Sequence, residues 1–317
     1  MNINIIASTN EQHIATRQEL EHLGGIAAGV CYMPNNFESL INEPFERTEK
    51  RINRTKTSKH HSVYEHGSIT LQLENIPKGL AMVLNNEGQY VTSEKSARYT
   101  KMILKKDEQE LYDKWLNIFK EKITQEYAEK YPNYFNESKI EKLAQENARY
   151  LISVFTPTSM LYTVPYGQLN KIYAFMKQEI NRENQNEFYK QLIPSMEEFC
   201  EYLEKQDLVD KDLSANEKKR SFSLMSTNVE KIQEYFGDVY ATKYKGSFAQ
   251  LAQAQRHRTL KYSFNLDNEN TFFVPPIIAS DEKLVEMWKE DCESRAHVFP
   301  QGLLLNISEM GTMDYFV

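Results

Sequence analysis

The same order of elements recurs along this chain, and that recurrence limits the folds open to it more than any other feature. Residues 68–76, Ser-Ile-Thr-Leu-Gln-Leu-Glu-Asn-Ile, alternate apolar and polar positions, the pattern of a half-buried strand. Pro77 then opens a short helix to about Asn86, with Leu80, Val83 and Leu84 on one face, and a polar loop follows from Glu87 to Arg98. The spacing of Asp107 and Glu110 resembles a helix-capping arrangement, ahead of Leu111, Trp115, Ile118, Phe119 and Ile123 at helical intervals. Ser138 and Glu141 repeat it before Ile140, Leu143, Ala144, Ala148 and Leu151. Pro157 is read as the break that ends this helix, and another is expected from about Tyr166 to Lys190, with Leu169, Ile172, Tyr173 and Met176 on one face.

Residues 205–221 are charged and weakly periodic, the composition of a linker. Beyond them the order repeats: a strand at 238–244, a short helix from Ser247 into Arg258, a polar loop, and a helix begun by Ser280 whose apolar face is Leu284, Met287, Trp288 and Cys292. Phe299-Pro300-Gln301-Gly302 then mirrors Thr156-Pro157-Thr158-Ser159, and the surroundings of Gly311 mirror those of Gly167. The predicted organisation is a first copy over 1–204, a linker over 205–221 and a second, diverged copy over 222–317. The second copy stops at Val317, a few residues into the helix that the first completes, and is read as incomplete.

With 317 residues there is ample chain for two such units. A net charge of −7 argues against a protein that wraps nucleic acid, because neutralising phosphates needs a clustered Lys/Arg excess. No apolar run approaches a membrane span, and the start Met1-Asn2-Ile3-Asn4-Ile5-Ile6 lacks the basic residues and cleavage site of a secretory signal, so a cytoplasmic protein with no membrane partner is expected. One basic stretch, Arg47 to His61, sets Arg47, Lys50, Arg51, Arg54, Lys56 and Lys59 against Glu49 alone; it reads either as a solvated loop or as an attractor of small anions. Cys31, Cys200 and Cys292 are far apart with no C-x-x-C pair, which fits reduced thiols better than bridges or zinc ligands. His60, His61, Glu65 and His66 fall close together, but a metal would need a third and fourth ligand; no metal is expected, and structural hydrogen bonding or ligand contact both remain open for the histidines. No G-x-G-x-x-G or P-loop follows a predicted strand.

Two segments carry anion-binding chemistry. Ser93-Glu94-Lys95-Ser96-Ala97-Arg98-Tyr99 offers a guanidinium, hydroxyls and a small residue at a turn, the donors that a phosphate requires. Gln253-Ala-Gln-Arg256-His257-Arg258 sets two arginines around a histidine at the end of a helix, and His257, flanked by cations, is read as a binding group rather than a free general base. Together these pieces resemble the two halves of one signature, R-H-R followed by Ser-x-Arg-Tyr, of the flavin-dependent thymidylate synthases. Ala27-Ala28-Gly29-Val30-Cys31-Tyr32 is similar to that family's A-A-R-V-S-Y segment with Gly29 for Arg, and His61-Ser62-Val63-Tyr64-Glu65-His66 to its H-x-x-x-E-H turn.

The resemblance implies an α+β fold, an antiparallel sheet flanked by long helices, and a composite site. Glu94, Ser96 and Arg98, with Arg149, would hold dUMP, while His66, Gln253, Arg256, His257 and Arg258 would hold FAD. It implies reductive methylation of dUMP to dTMP, with methylenetetrahydrofolate and NADPH as co-substrates, in a homo-oligomer, and no catalytic side chain is assigned. Departures from the family pattern favour the alternative of a catalytically inactive relative that binds nucleotide or forms oligomers. Asn86-Glu87-Gly88 stands where the first copy should carry R-H-R, and Leu266-Asp267-Asn268 where the second should carry Ser-x-Arg. Ser153 lies where A-R-x-x-L-P, counted back from Pro157, requires Arg, with Arg149 one turn earlier as a substitute. Arg295 is one residue out of place, and Glu179 stands for a pocket Arg, where it would repel a phosphate.

Overall fold

The alternating segment at 68–76 is not the first strand of the chain, because an extended N-terminal segment pairs with it. In the computed structural model, which describes residues 1–9, 16–96, 100, 102–183, 185–215, 224–225, 239–257 and 260–312, strand β1 (Asn2–Ser8) runs antiparallel to β2 (Ser68–Pro77) from Asn2↔Glu74 to Ser8↔Ile69. Between them lie α1 (Arg17–Tyr32), α2 (Phe37–Ile41), α3 (Phe45–Thr57) and a 3-10 turn, His61–Glu65. The basic stretch expected as a loop is therefore mostly helix α3, which buries Thr48, Ile52 and Thr55. After α4 (Lys78–Asn86) the expected polar loop contains a strand, β3 (Val91–Glu94).

Helices α5 (Lys106–Ile123) and α6 (Glu137–Ala148) follow, but not with the predicted caps: Lys105, at the N-cap position of α5, makes no side-chain cap bond, and Asn136, not Ser138, caps α6 by accepting from Lys139 N. Pro157 begins a strand, β4 (Pro157–Pro165), whose alternation buries Thr158, Met160, Tyr162 and Val164. The long helix expected to Lys190 is two, α7 (Tyr166–Ile180) and α8 (Glu187–Lys205), with Asn186 capping the second. Within the expected linker, Leu208 is buried and α9 (Lys211–Ser214) forms. The segment expected as a second copy holds β5 (Val239–Ser247), α10 (Phe248–Ala254), β6 (Lys261–Leu266) where a polar loop was expected, α11 (Glu282–Ser294), capped by Asp281 rather than Ser280, and β7 (Leu304–Thr312). The architecture is α+β, helices with antiparallel strand pairs.

The sheets are ordered β1-β2-β4-β3 and β5-β7-β6. In each, the strand before a short helix neighbours the sheet's last strand in sequence, whose other neighbour is the strand that precedes it along the chain. The chain forms two compact units, one of Met1–Ile76, Glu87–Glu94 and Ser159–Arg220, the other of Pro77–Asn86, Lys95–Thr158 and Ser221–Val317. These interleave along the chain and do not coincide with 1–204 and 222–317.

In the first unit, Gly24 and Gly25 let α1 approach its neighbours closely: a Cβ on Gly25 would lie 2.5 Å from Thr48 Cγ2, and one on Gly24 would lie 2.7 Å from Tyr64 Cδ1. Lys56 Nζ sits between Glu21 Oε1 at 2.8 Å and Asp210 Oδ2 at 2.7 Å, and Asp210 Oδ1 caps α9 through Asp212 N and Leu213 N, each at 2.9 Å. Burial raises the Glu21 carboxyl above its ordinary range despite Lys56. At Asp210 burial pushes the same way, but the hydrogen bond from Lys56 and the backbone donor of Leu213 overcome it and hold the group low. Lys56 thus favours ionised Asp210.

The second unit is cored by Trp115, Phe119 and Trp288, with the two indoles edge to face at 4.7 Å. Its backbone holds a reciprocal crossing. Ser153 and Pro300 form an antiparallel bridge, with Val154 N donating to Phe299 O at 2.9 Å and Gln301 N to Ile152 O at 2.6 Å. Around it the bonds come in pairs. Ile152 N donates to Arg149 O as Phe299 N does to Ala296 O, and Thr156 N to Ser153 O as Leu303 N does to Pro300 O. Lys78 N donates to Thr156 O as Phe248 N does to Leu303 O, and Gly79 N to Val154 O as Ala249 N does to Gln301 O. The register matches Ser153 with Pro300 and Pro157 with Leu304, four residues from the predicted correspondence of the two prolines.

Candidate functional site

Helix α10 is placed by its cap and its apolar stripe. Ser247 Oγ accepts from Gln250 N at 3.1 Å, and Phe248, Leu251, Ala252 and Gln255 are buried. That leaves Gln253, and in the 3-10 turn that follows Arg256 and His257, on the exposed side. Arg149 opens the 3-10 turn at the end of α6, anchored by buried Ala148 and Leu151. Its Nη2 faces Gln253 Oε1 at 3.5 Å, and its guanidinium lies 5.8 Å from the ring of Tyr150. Arg149 Nε is buried and without a hydrogen-bond partner. A buried guanidinium N–H wants an acceptor, and an anionic or carbonyl oxygen is the best one chemistry offers. The second unit therefore brings together one residue predicted for the nucleotide and one predicted for the flavin.

The crossing offers a second alignment of the arginine motif. Ser153 bridges Pro300, four residues back from Ser153 is Arg149, and Ala148-Arg149-Tyr150-Leu151-Ile152-Ser153 resembles A-R-x-x-L-P with Ile for Leu and Ser for Pro. The same count from Pro300 reaches Ala296. Arg295 turns instead into the fold, where it pairs with Asp107 and lies 3.6 Å from Glu108 Oε1.

Asn86, aligned with the first Arg of the missing R-H-R, is buried and fully engaged. Its Oδ1 accepts from Tyr262 N at 3.2 Å and Gln255 Nε2 at 3.3 Å, its Nδ2 donates to Tyr262 O at 3.2 Å, and Lys261 Nζ reaches its carbonyl at 3.4 Å. That position is an internal bracket for β6 and presents no donor to a ligand.

Within the first unit, His66 is exposed at the end of the His61–Glu65 turn. Glu65 Oε1 there pairs with Lys171 Nζ of α7 at 2.5 Å, a partner that sequence reasoning misses because α7 lies a hundred residues away. Gly167 makes room for the carboxylate: a Cβ there would sit 2.9 Å from Glu65 Oε1. His60 Nδ1 and Tyr32 Oη are 2.6 Å apart, and His61 Nε2 is buried without a partner. Among the described residues no group of three His, Cys, Asp or Glu side chains is gathered as a metal would need. Nor does any described helix have the length and apolarity to cross a membrane.

Glu94 ends β3 opposite Met160. Ser96, in the second unit, accepts through its carbonyl from Thr100 N at 3.0 Å and Thr100 Oγ1 at 2.8 Å. Arg98 and Arg258 lie outside the described residues. Glu179 does not stand as a bare charge: Arg182 Nη1 lies 3.2 Å from its Oε2, Tyr189 Oη donates to the same oxygen at 3.4 Å, and burial raises the carboxyl in spite of Arg182.

The chain belongs to the Thy1 family, described as thymidylate synthase complementing protein, which it matches over residues 14–201. The match ends before Gln253. No curated protein matches the chain. Solved structures similar to it include a UMP/dUMP methylase, PolB, from Streptomyces cacaoi bound with 5-Br dUMP, at 15% identity over 65% of this chain and 92% of that one, TM-score 0.39. Another is ThyX from Helicobacter pylori with FAD and dUMP, at 14% identity over 68% of this chain and 100% of that one, TM-score 0.41.

Proposed function

We propose that the protein is a flavin-dependent thymidylate synthase or a close relative, methylating dUMP to dTMP with methylenetetrahydrofolate as carbon donor and NADPH as reductant. The observation that carries the reading is the buried, unpartnered Arg149 Nε with Gln253 beside it. Arg149 would take an oxygen of the nucleotide, and Gln253, with its amide exposed, would orient what lies next to it. Arg256 and His257, exposed at the end of α10, suit the phosphates of FAD. When bound, the flavin supplies the hydride; the chain's own part is to bind, align and neutralise charge. Ser96 is the described member of the nucleotide loop in this unit, and the roles of Glu94, Arg98, His66 and Arg258 rest on the family motifs alone.

The test is direct. Chain incubated with FAD and desalted is expected to stay yellow, its spectrum to shift on adding dUMP, and NADPH oxidation to depend on dUMP. Loss of charge-assisted hydrogen bonds worth about 1.5–3 kcal/mol should weaken dUMP binding by roughly 10–150-fold in Arg149→Ala, and Arg256→Ala should strip the flavin. A colourless protein that still binds dUMP would favour the second reading, a non-catalytic nucleotide-binding relative. That reading draws on the closure of Asn86 against Tyr262 and Gln255.

A further inference from the structure

We infer that the two repeats pair with each other inside one polypeptide, about an approximate two-fold relation through the Ser153–Pro300 bridge, and so assemble a single nucleotide and flavin site in cis. The inference rests on the function proposed above for Arg149 and Gln253. Its own evidence is the backbone. Val154 N to Phe299 O and Gln301 N to Ile152 O are bonds that exchange places when the repeats are swapped, as contacts across a two-fold axis do. Four further pairs of bonds around the crossing match residue for residue at constant offsets in numbering. A chance crossing has no reason to keep such a register.

The same correspondence says how many sites the pairing makes. The two-fold mate of Arg149 is Ala296, and the mate of Gln253 is Val83. The mate of Arg256 is Asn86, whose side chain is spent on Tyr262 and Gln255. Where one side of the crossing has a guanidinium facing an amide and an exposed arginine, the other has two apolar side chains and a closed bracket. Symmetry of the backbone and asymmetry of the side chains leave one site per chain, with Arg149 from the first repeat and Gln253, Arg256 and His257 from the second.

Two differently tagged chains, co-expressed and captured through both tags, decide it, with bound FAD and dUMP counted per pair. For Arg149→Ala with Arg256→Ala, assembly in cis predicts no complete site, whereas assembly between chains predicts one. For wild type with the double variant Arg149→Ala/Arg256→Ala, cis predicts one complete site and assembly between chains predicts none. If no pair can be captured because the chain is a monomer, one equivalent of each ligand per wild-type monomer establishes assembly in cis. One site in the first pair and none in the second would overturn the inference while leaving the functional reading intact. Wild-type chain that takes up neither ligand would instead sink the functional reading.

Discussion

Arg295 ties the start of α5 to the end of α11, and its removal should be among the costliest single changes in the second unit. The residue is 5% exposed and Glu108 is 3% exposed. Glu108 also accepts from Ser153 N at 2.7 Å and from Thr156 Oγ1 at 3.2 Å. Arg295→Met keeps most of the side-chain volume and strands the carboxylate. Breaking a buried pair by deleting one partner costs about 3–5 kcal/mol, and the two remaining donors to Glu108 argue for the lower end, about 3 kcal/mol. Glu108→Gln should cost less, and the double variant less than the sum, with a coupling of roughly 1–3 kcal/mol. Urea unfolding followed by tryptophan fluorescence is the assay, because the chain's two tryptophans, Trp115 and Trp288, both lie in this unit. A loss below about 1 kcal/mol, or single effects that add within about 0.5 kcal/mol, would refute the claim that this pair is a buried, coupled contact.

Gly302→Ala should destabilise the same transition by about 1–3 kcal/mol, since the new Cβ would fall 2.9 Å from the Tyr150 carbonyl at the crossing. Ser153→Pro removes the N–H that Glu108 accepts, and is expected to cost about 1–3 kcal/mol by the same fluorescence assay; a neutral result would show that the bond contributes nothing. Asp210, held below its ordinary value of 3.8, contributes stability that is present above that pH and is lost as pH falls through its folded pKa. Asp210→Asn should therefore be less stable than wild type at neutral pH, with the gap narrowing below pH 3.8, read from urea midpoints by circular dichroism. A gap that is constant with pH would remove Lys56–Asp210 from the account.

Elements with strong local signatures are legible in the sequence, and those set by partners are not. The strand at 68–76 alternates because one face is buried, and the α10 stripe announces itself by spacing. Strand β3 is short and polar enough to pass for a loop until it pairs with β4, whereas β6 alternates Tyr262, Phe264 and Leu266 with polar residues, a strand signal that the polar-loop reading passes over. Pro157 reads as a helix breaker because proline is compatible with both a helix end and the first residue of a strand. At the site, the chemistry of Arg149, Gln253 and Arg256 can be read from motifs. The closeness of Arg149 to Gln253 cannot, since about a hundred residues separate them.

The order β5-β7-β6 has a consequence for how the protein is made. The central strand of that sheet is the last of the three to be synthesised, and each of its neighbours pairs with it. Until residues 304–312 leave the ribosome, β5 and β6 have no central strand to join, an interval of several seconds at roughly 5–20 residues per second. The short helix α10 lacks the carbonyls of Gln301 and Leu303 for the same interval. Nascent chains of this protein therefore pass through a stage with unpaired strand edges.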